Sequence, residues 1–297
     1  MNREAASQYN KDFLCERRLS KISPDLHTLF RNSVFAIERL LQNYTMVFPF
    51  YTDHSFQHAE QIINYCNILL GRENAEKLNA DEIYILLMGA CLHDVGMGLS
   101  EKDLLQMVPD VKGAEEYMNN HSGEHIGGVA RAFHNEFSAC FIRKYAALFE
   151  MPDEYIDPVC QVARGHRKVN LLDENEMKRV VELSNGQKVR LAYLAAIVKL
   201  ADELDVTSNR NLLLDYKNMG YESHEQEMCF KSHFAIKSLE ENDDELLLNY
   251  YSYDKDVLDE ISSIGGKIRT TFNEYQAVVE LYPEFSSLYK RVHLQEQ

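Results

Sequence analysis

Apolar residues recur at helical spacing along most of the chain. Behind Ser23-Pro24-Asp25, residues Leu26, Leu29, Phe30, Ile37, Leu40 and Leu41 mark one face of a helix, with Ser23 as its cap and Pro24 in its first turn. A second helix is predicted over 55–70, stopping at Gly71. A third, over 81–92 with Asp81 as cap, is apolar nearly all round from Ile83 to Leu92 and is expected at the centre of the fold. Further helices are expected near 123–149, 153–165 and 188–206, with the polar stretch 170–188 as a loop holding a helical turn.

The pattern changes after Asn211. Residues 228–236 and 245–251 read as two strands, with 240–244 as the hairpin turn between them. A last helix is expected over 256–281, ending before Pro283. The expected architecture is an all-α bundle over residues 1–212, with a small C-terminal β-hairpin plus helix, 213–297, as an appendage packed on it.

Composition narrows the class. A chain of 297 residues with 45% hydrophobic and 26% charged residues has enough apolar side chain for a sizeable core and fits a soluble globular protein. The net charge of −16 disfavours a non-specific nucleic-acid surface or an anionic membrane surface. It leaves room for a small phosphorylated substrate, because a bound metal reverses the local field. The six cysteines are scattered, form no CxxC pair and read as reduced core thiols of a cytoplasmic protein. The N-terminus lacks an apolar signal core, and no run approaches membrane-spanning length.

The sharpest chemical feature is His93-Asp94, carried to the end of the Ile83–Leu92 run and followed by Gly96 and Gly98. Burying an imidazole and a carboxylate there is costly without a partner, and a divalent metal is the expected one. His58 shares a helical face with Ile62, Tyr65, Cys66 and Leu69. Asp202 lies on the stripe of Leu191, Leu194 and Val198, an unusual place for a carboxylate. These four residues form a mixed N/O set suited to Mn, Fe, Mg, Ni, Co or Zn, with positions left for water and substrate. His134 faces inward with Phe137, Ser138 and Phe141, and His166 follows Val159 and Val162. Either alone reads as a core histidine; with the other four they become candidate ligands.

The order His58 … His93-Asp94 … Asp202 resembles the HD superfamily of metal-dependent phosphohydrolases, an all-helical fold, over roughly residues 30–212. His54-Ser55-Phe56-Gln57-His58 is similar to the HSxxH segment of many members, in which the second histidine is the ligand; that selects His58 over His54. Lys199-Leu200-Ala201-Asp202 is similar to the KLAD segment of the guanosine tetraphosphate hydrolases. The wording HD-x-G-M with LADELD most resembles the HD-CE branch. The resemblance implies a phosphohydrolase that cleaves a phosphoester or phosphoanhydride of a nucleotide-type substrate with metal-activated water.

Binuclear members add two histidines between the His-Asp pair and the last Asp, and His134 and His166 stand in those places. In that form Asp94 would bridge, with His58, His93 and Asp202 on one metal and His134 and His166 on the other. The mononuclear alternative resembles the deoxynucleotide triphosphohydrolases. There His134 would be a proton donor or phosphate contact and Glu136 an acid. Two departures from the family stand out. Met97 occupies a position where many members have Lys, and Arg167-Lys168 follows His166 in place of the GYP segment of cyclic-dinucleotide phosphodiesterases.

Arg164, Arg167, Lys168, Lys199 and Arg210 are candidate phosphate contacts, each with a plain alternative as solvated helix-end charge. Asp205, one turn beyond Asp202, is either a support for a ligand or a surface residue. His121 and His125 stand four apart in a glycine-rich insertion read as a substrate lid, with His125 a candidate substrate contact. Tyr250, Tyr251, Tyr253 and Tyr275 offer either a homodimer contact or packing on the domain. Two other functional classes stay open: an HD-type di-iron oxygenase and a non-catalytic nucleotide-sensing module.

Overall fold

The computed structural model describes residues 13–42, 55–121, 127–207 and 224–297. It is an all-α bundle with a C-terminal hairpin and helix. Helix α1, Leu14–Ile22, leads into α2, Pro24–Leu41, whose start follows the expected cap: the Ser23 hydroxyl accepts from the Leu26 amide, 3.4 Å. Helix α3, Phe56–Lys77, runs past the expected stop. Gly71 does break it, with φ 57° in the left-handed region, but a further helical stretch follows. A Cβ at Gly71 would lie 2.5 Å from a Leu288 methyl, so both space and dihedral ask for glycine there.

Helix α4, Ala80–Leu92, is buried along nearly its whole length. Its cap is Asn79 rather than Asp81. The Asn79 side chain accepts from the Glu82 amide, 2.9 Å, and the Glu82 carboxylate accepts from the Asn79 amide, 3.1 Å, closing a capping box. Asp81 instead accepts from the Tyr155 hydroxyl. A 3-10 turn, Val95–Gly98, ends α4 and leads to α5, Glu101–Met107, and α6, Ala114–Asn120. Helix α7, Gly127–Tyr145, breaks at Phe133 and continues as a 3-10 turn, Ala146–Phe149.

Helices α8, Asp153–Arg164, and α9, Leu191–Leu204, pack against α4. The approach is close because glycines line it. A Cβ at Gly89 would lie 2.6 Å from Val162, and one at Gly165 would lie 2.8 Å from Ala195. Between α8 and α9 the expected loop contains a two-residue antiparallel pair, β1 (Val181–Glu182) with β2 (Lys188–Val189).

The C-terminal region departs most from expectation. Residues 228–235, read as a strand, belong to helix α10, His224–Ala235, which packs on α11, Lys255–Val279. A short apolar run carries no period long enough to separate helix from strand, and here the packing against α11 decides. Strand β3, Ile236–Asn242, begins where that helix stops. It pairs antiparallel with β4, Glu245–Tyr250, across a turn at Asp243-Asp244 that is tighter than the expected 240–244. An unexpected strand, β5, Arg291–Glu296, lies parallel to β4.

Helix α11 packs on α9 and is tied to it by Lys199–Glu274 and Lys267–Glu203 ion pairs, each 2.8 Å. Apolar side chains from α1 through β5 form one continuous core. Tyr275 is buried in it, whereas Tyr251 and Tyr253 are exposed. All six cysteines are free thiols. Among the described residues, no single helix is long and apolar enough to cross a membrane.

Candidate metal centre

The site forms where α4 ends. His93 is the C-terminal cap of α4, and its Nδ1 donates to the Ala90 carbonyl, 2.8 Å. Asp94 leaves the helical conformation and is 5% exposed. Its two carboxylate oxygens face different neighbours. Oδ2 lies 3.3 Å from His93 Nε2 and 3.6 Å from His58 Nε2. Oδ1 lies 3.4 Å from both His134 Nε2 and His166 Nε2.

Each remaining member is delivered by a different helix. His58, in the first turn of α3, places Nε2 3.1 Å from His93 Nε2 and 3.4 Å from Asp202 Oδ1 of α9. His134 follows the break at Phe133 (φ −129°, ψ 18°), and its Nδ1 donates to the Arg131 carbonyl, 2.9 Å. His166, just past the end of α8, donates Nδ1 to the Ala163 carbonyl, 2.6 Å. The two Nε2 atoms of His134 and His166 are 2.9 Å apart.

Three residues that spacing alone does not single out hold these helices in register. The Gly96 amide donates to the Ser138 hydroxyl, 2.9 Å, and a Cβ at Gly96 would lie 2.3 Å from the His134 carbonyl oxygen. The turn after the His-Asp pair therefore rests directly on the α7 backbone. Asn135, beside His134, donates its side-chain amide to the Arg164 and Arg167 carbonyls, 3.2 and 2.8 Å, and so fixes the chain around His166. Ser138, one turn after His134 on its inward face, was the one of the three with a readable signal.

The hydrogen bonds set the chemistry. A carbonyl or carboxylate oxygen only accepts, so Nδ1 of His93, His134, His166 and, on Asp205, of His58 carries the ring proton. In the neutral rings every Nε2 is then a lone pair. These lone pairs face one another in two couples, 3.1 and 2.9 Å apart, with carboxylate oxygens beside them. A proton or a metal cation placed between them relieves their repulsion.

The spacing suits a metal. Donors about 2.1 Å from an ion stand about 3.0 Å apart at right angles and about 3.4 Å apart in a tetrahedron. The His–His and His–Asp contacts here run from 2.9 to 3.7 Å, and within each set the ligand atoms lie within 4.8 Å of one another. His58, His93, Asp94 and Asp202 form one set of converging ligand atoms, and Asp94, His134 and His166 form another. The residues present therefore fit two divalent ions that share Asp94, in an N/O environment.

The local field agrees with a cation site. Burial alone would lower the His93 pKa, but the Asp94 and Asp202 carboxylates push it up to about 10. Burial would raise Asp202, yet the His58 and His93 imidazoles beside it hold it well below the usual carboxylate range. His134 goes the other way. Burial, with His166 and Arg167 adding to it against Asp94, lowers it to about 3.

Other expected site residues stand elsewhere. Glu136 is clamped by Arg164, 2.8 and 3.0 Å, and joins neither ligand set. The Lys199 ammonium is committed to Glu274 and the Val169 carbonyl, so a phosphate contact would have to displace that ion pair. Lys168 donates to the Ala132 carbonyl, 2.7 Å. His121 stacks on Tyr117. Among the described residues the half-buried Arg167 guanidinium makes no hydrogen bond or ion pair, while its charge acts on His134. Asp205 is 3% exposed and receives the His58 Nδ1 proton, 2.6 Å. His54, His125 and Arg210 lie outside the described residues.

No curated protein matches the chain. The HD-CE family model matches residues 48–277, from ahead of His58 into α11, and by that match the chain belongs to the HD-CE family.

Proposed function

We propose that this HD-CE chain is a metal-dependent phosphohydrolase. Its substrate would be a small phosphorylated compound of nucleotide type, cleaved at a phosphoester or phosphoanhydride by activated water. One observation carries the reading: the two oxygens of Asp94 face two separate sets of imidazole lone pairs, each set spaced for a divalent ion. When bound, such ions supply a water nucleophile usable at neutral pH and neutralise phosphoryl oxygens.

The chain's own residues do the rest. Asp94 ties the two positions together; His58, His93 and Asp202 complete one, and His134 and His166 the other. The second set offers three protein ligands, which leaves coordination positions open to substrate. Arg167, uncommitted among the described residues and near His134, is the best placed cation to orient a phosphoryl oxygen. Its forked guanidinium suits that task better than the committed Lys199. The free thiols, four of them buried, fit a reducing, cytoplasmic setting.

The test is metal analysis of the purified protein beside a phosphate-release screen over nucleotides and phosphoesters with Mn, Mg, Co and Ni. Asp94→Ala is the control and is expected to lose bound metal and activity together. Full metal content and activity in Asp94→Ala would defeat the reading. Iron with a mixed-valent paramagnetic signal and no phosphate release would move it to a di-iron oxygenase. Nucleotide binding without turnover would move it to a sensing module.

A further inference from the structure

The two ligand sets that meet at Asp94 differ in charge. The first has two carboxylates, Asp94 Oδ2 and Asp202, beside His58 and His93. The second has Asp94 Oδ1 alone beside His134 and His166, and the Arg167 charge falls on it. A dication is therefore drawn more strongly to the first.

The sets also differ in what stands behind the imidazoles. His93, His134 and His166 each donate Nδ1 to the main-chain carbonyl three residues back. His58 donates instead to the buried Asp205 carboxylate, 2.6 Å. A carboxylate draws the Nδ1 proton harder than a carbonyl and leaves more electron density on Nε2, which makes a stronger ligand. The position of Asp205 supports a specific role. It caps the C-terminus of α9, where the helix dipole disfavours negative charge, and the last turn of α9 holds no basic residue.

We propose that the centre loads in order: the His58–His93–Asp94–Asp202 position binds its ion first and tightly, Asp205 sets that preference through His58, and the Asp94–His134–His166 position fills only at higher metal concentration. Asp205 is thus a positioning residue, and occupancy of the second position follows free metal. The inference rests on the metal-centre reading above and not on the reaction assigned to it.

The experiment is calorimetric titration of the chelator-stripped full chain with Mn²⁺. Wild type is expected to bind one ion tightly and a second at least about tenfold more weakly. Asp205→Asn is expected to weaken the tight event about 10- to 100-fold and leave the weak one in place. His166→Ala is expected to lose the weak event and keep the tight one. Circular dichroism checks each fold, and Asp205→Ser, which also removes the carboxylate, replaces Asp205→Asn if that variant does not fold. Two equal sites, a single site, an Asp205 variant that weakens both events equally or neither, or loss of the tight event in His166→Ala would each overturn the proposal. Phosphate release plays no part in the readout, so failure of the loading order and failure of the phosphohydrolase reading are told apart.

Discussion

His134 Nε2 lies 2.9 Å from His166 Nε2, with the Nδ1 proton of each ring turned to a main-chain carbonyl. Two facing lone pairs repel, and both rings are buried. Folding is therefore expected to be coupled to cation binding. Removing metal with a chelator is expected to lower the thermal midpoint, and Mn²⁺ at about 100 times its dissociation constant is expected to restore about 2.7 kcal/mol per site. His166→Ala removes the facing pair and should shrink this difference. A scan in which chelator and Mn²⁺ leave the midpoint unchanged would contradict the coupling.

Gly96 is expected to be intolerant of any side chain. Its Cβ would meet the His134 carbonyl at 2.3 Å and the Ser138 amide at 2.8 Å, backbone atoms that cannot swing aside. Gly96→Ala should cost about 1–3 kcal/mol of stability. Because the strain falls on His134, the second ion should be weakened more than the first. Denaturant unfolding with metal titration measures both; an alanine variant with wild-type stability and two normal sites would disprove the contact.

Much of this architecture was legible, for physical reasons. The helices that carry the site are long and periodic, so their inward faces could be read, and the structure gathers the six side chains that spacing singles out. Local choices were less visible. Asn79 and Asp81 are both good caps, and the reach of Asn79 to Glu82 settles it. Strand β5 escaped notice because its partner β4 is more than forty residues earlier and its exposed face is polar. Lys199 reads as a phosphate contact in the sequence because Glu274, which holds it, comes from a helix far along the chain.

Proton release should distinguish the two positions. His93, pushed up to about 10, carries a proton at neutral pH that an ion must displace, whereas His134, lowered to about 3, is already neutral. Titration in buffers of different ionisation enthalpy is expected to show about one proton leaving His93 with the tight ion and none leaving His134 with the weak one. The same shifts shape the stability of the metal-stripped protein. The His93 contribution is full below its ordinary 6.5 and is lost as pH rises through about 10. His134 costs stability as pH falls below 6.5, because the unfolded chain takes a proton that the folded one refuses until about 3.

Arg167→Ala tests the phosphate contact. Losing one charge-assisted hydrogen bond is worth about 1.5–3 kcal/mol, so KM for a phosphorylated substrate should rise about 10- to 100-fold. Metal stoichiometry should stay at the wild-type value, since Arg167 belongs to neither ligand set. Unchanged KM would remove Arg167 from the substrate site.

Glu82 is expected to matter for stability and not for the centre. Its fully buried carboxylate accepts from the Arg190 Nε, 2.6 Å, and the Arg190 amide, 3.0 Å, while also closing the Asn79 capping box. Arg190 caps the start of α9 and lies over the Phe285 ring, 4.4 Å from its centroid. The pair thus pins the N-terminal ends of α4 and α9, helices whose opposite ends deliver His93, Asp94 and Asp202. At 1.5 Å per residue these ends lie about 20 Å from the metal centre. Glu82→Ala leaves the largely buried Arg190 charge without its main partner, which should cost about 3–5 kcal/mol. The folded fraction should still bind metal with wild-type stoichiometry, because no ligand or ligand support has moved. Loss of metal binding at temperatures where the variant is fully folded would show instead that the far ends of α4 and α9 set the geometry of the centre.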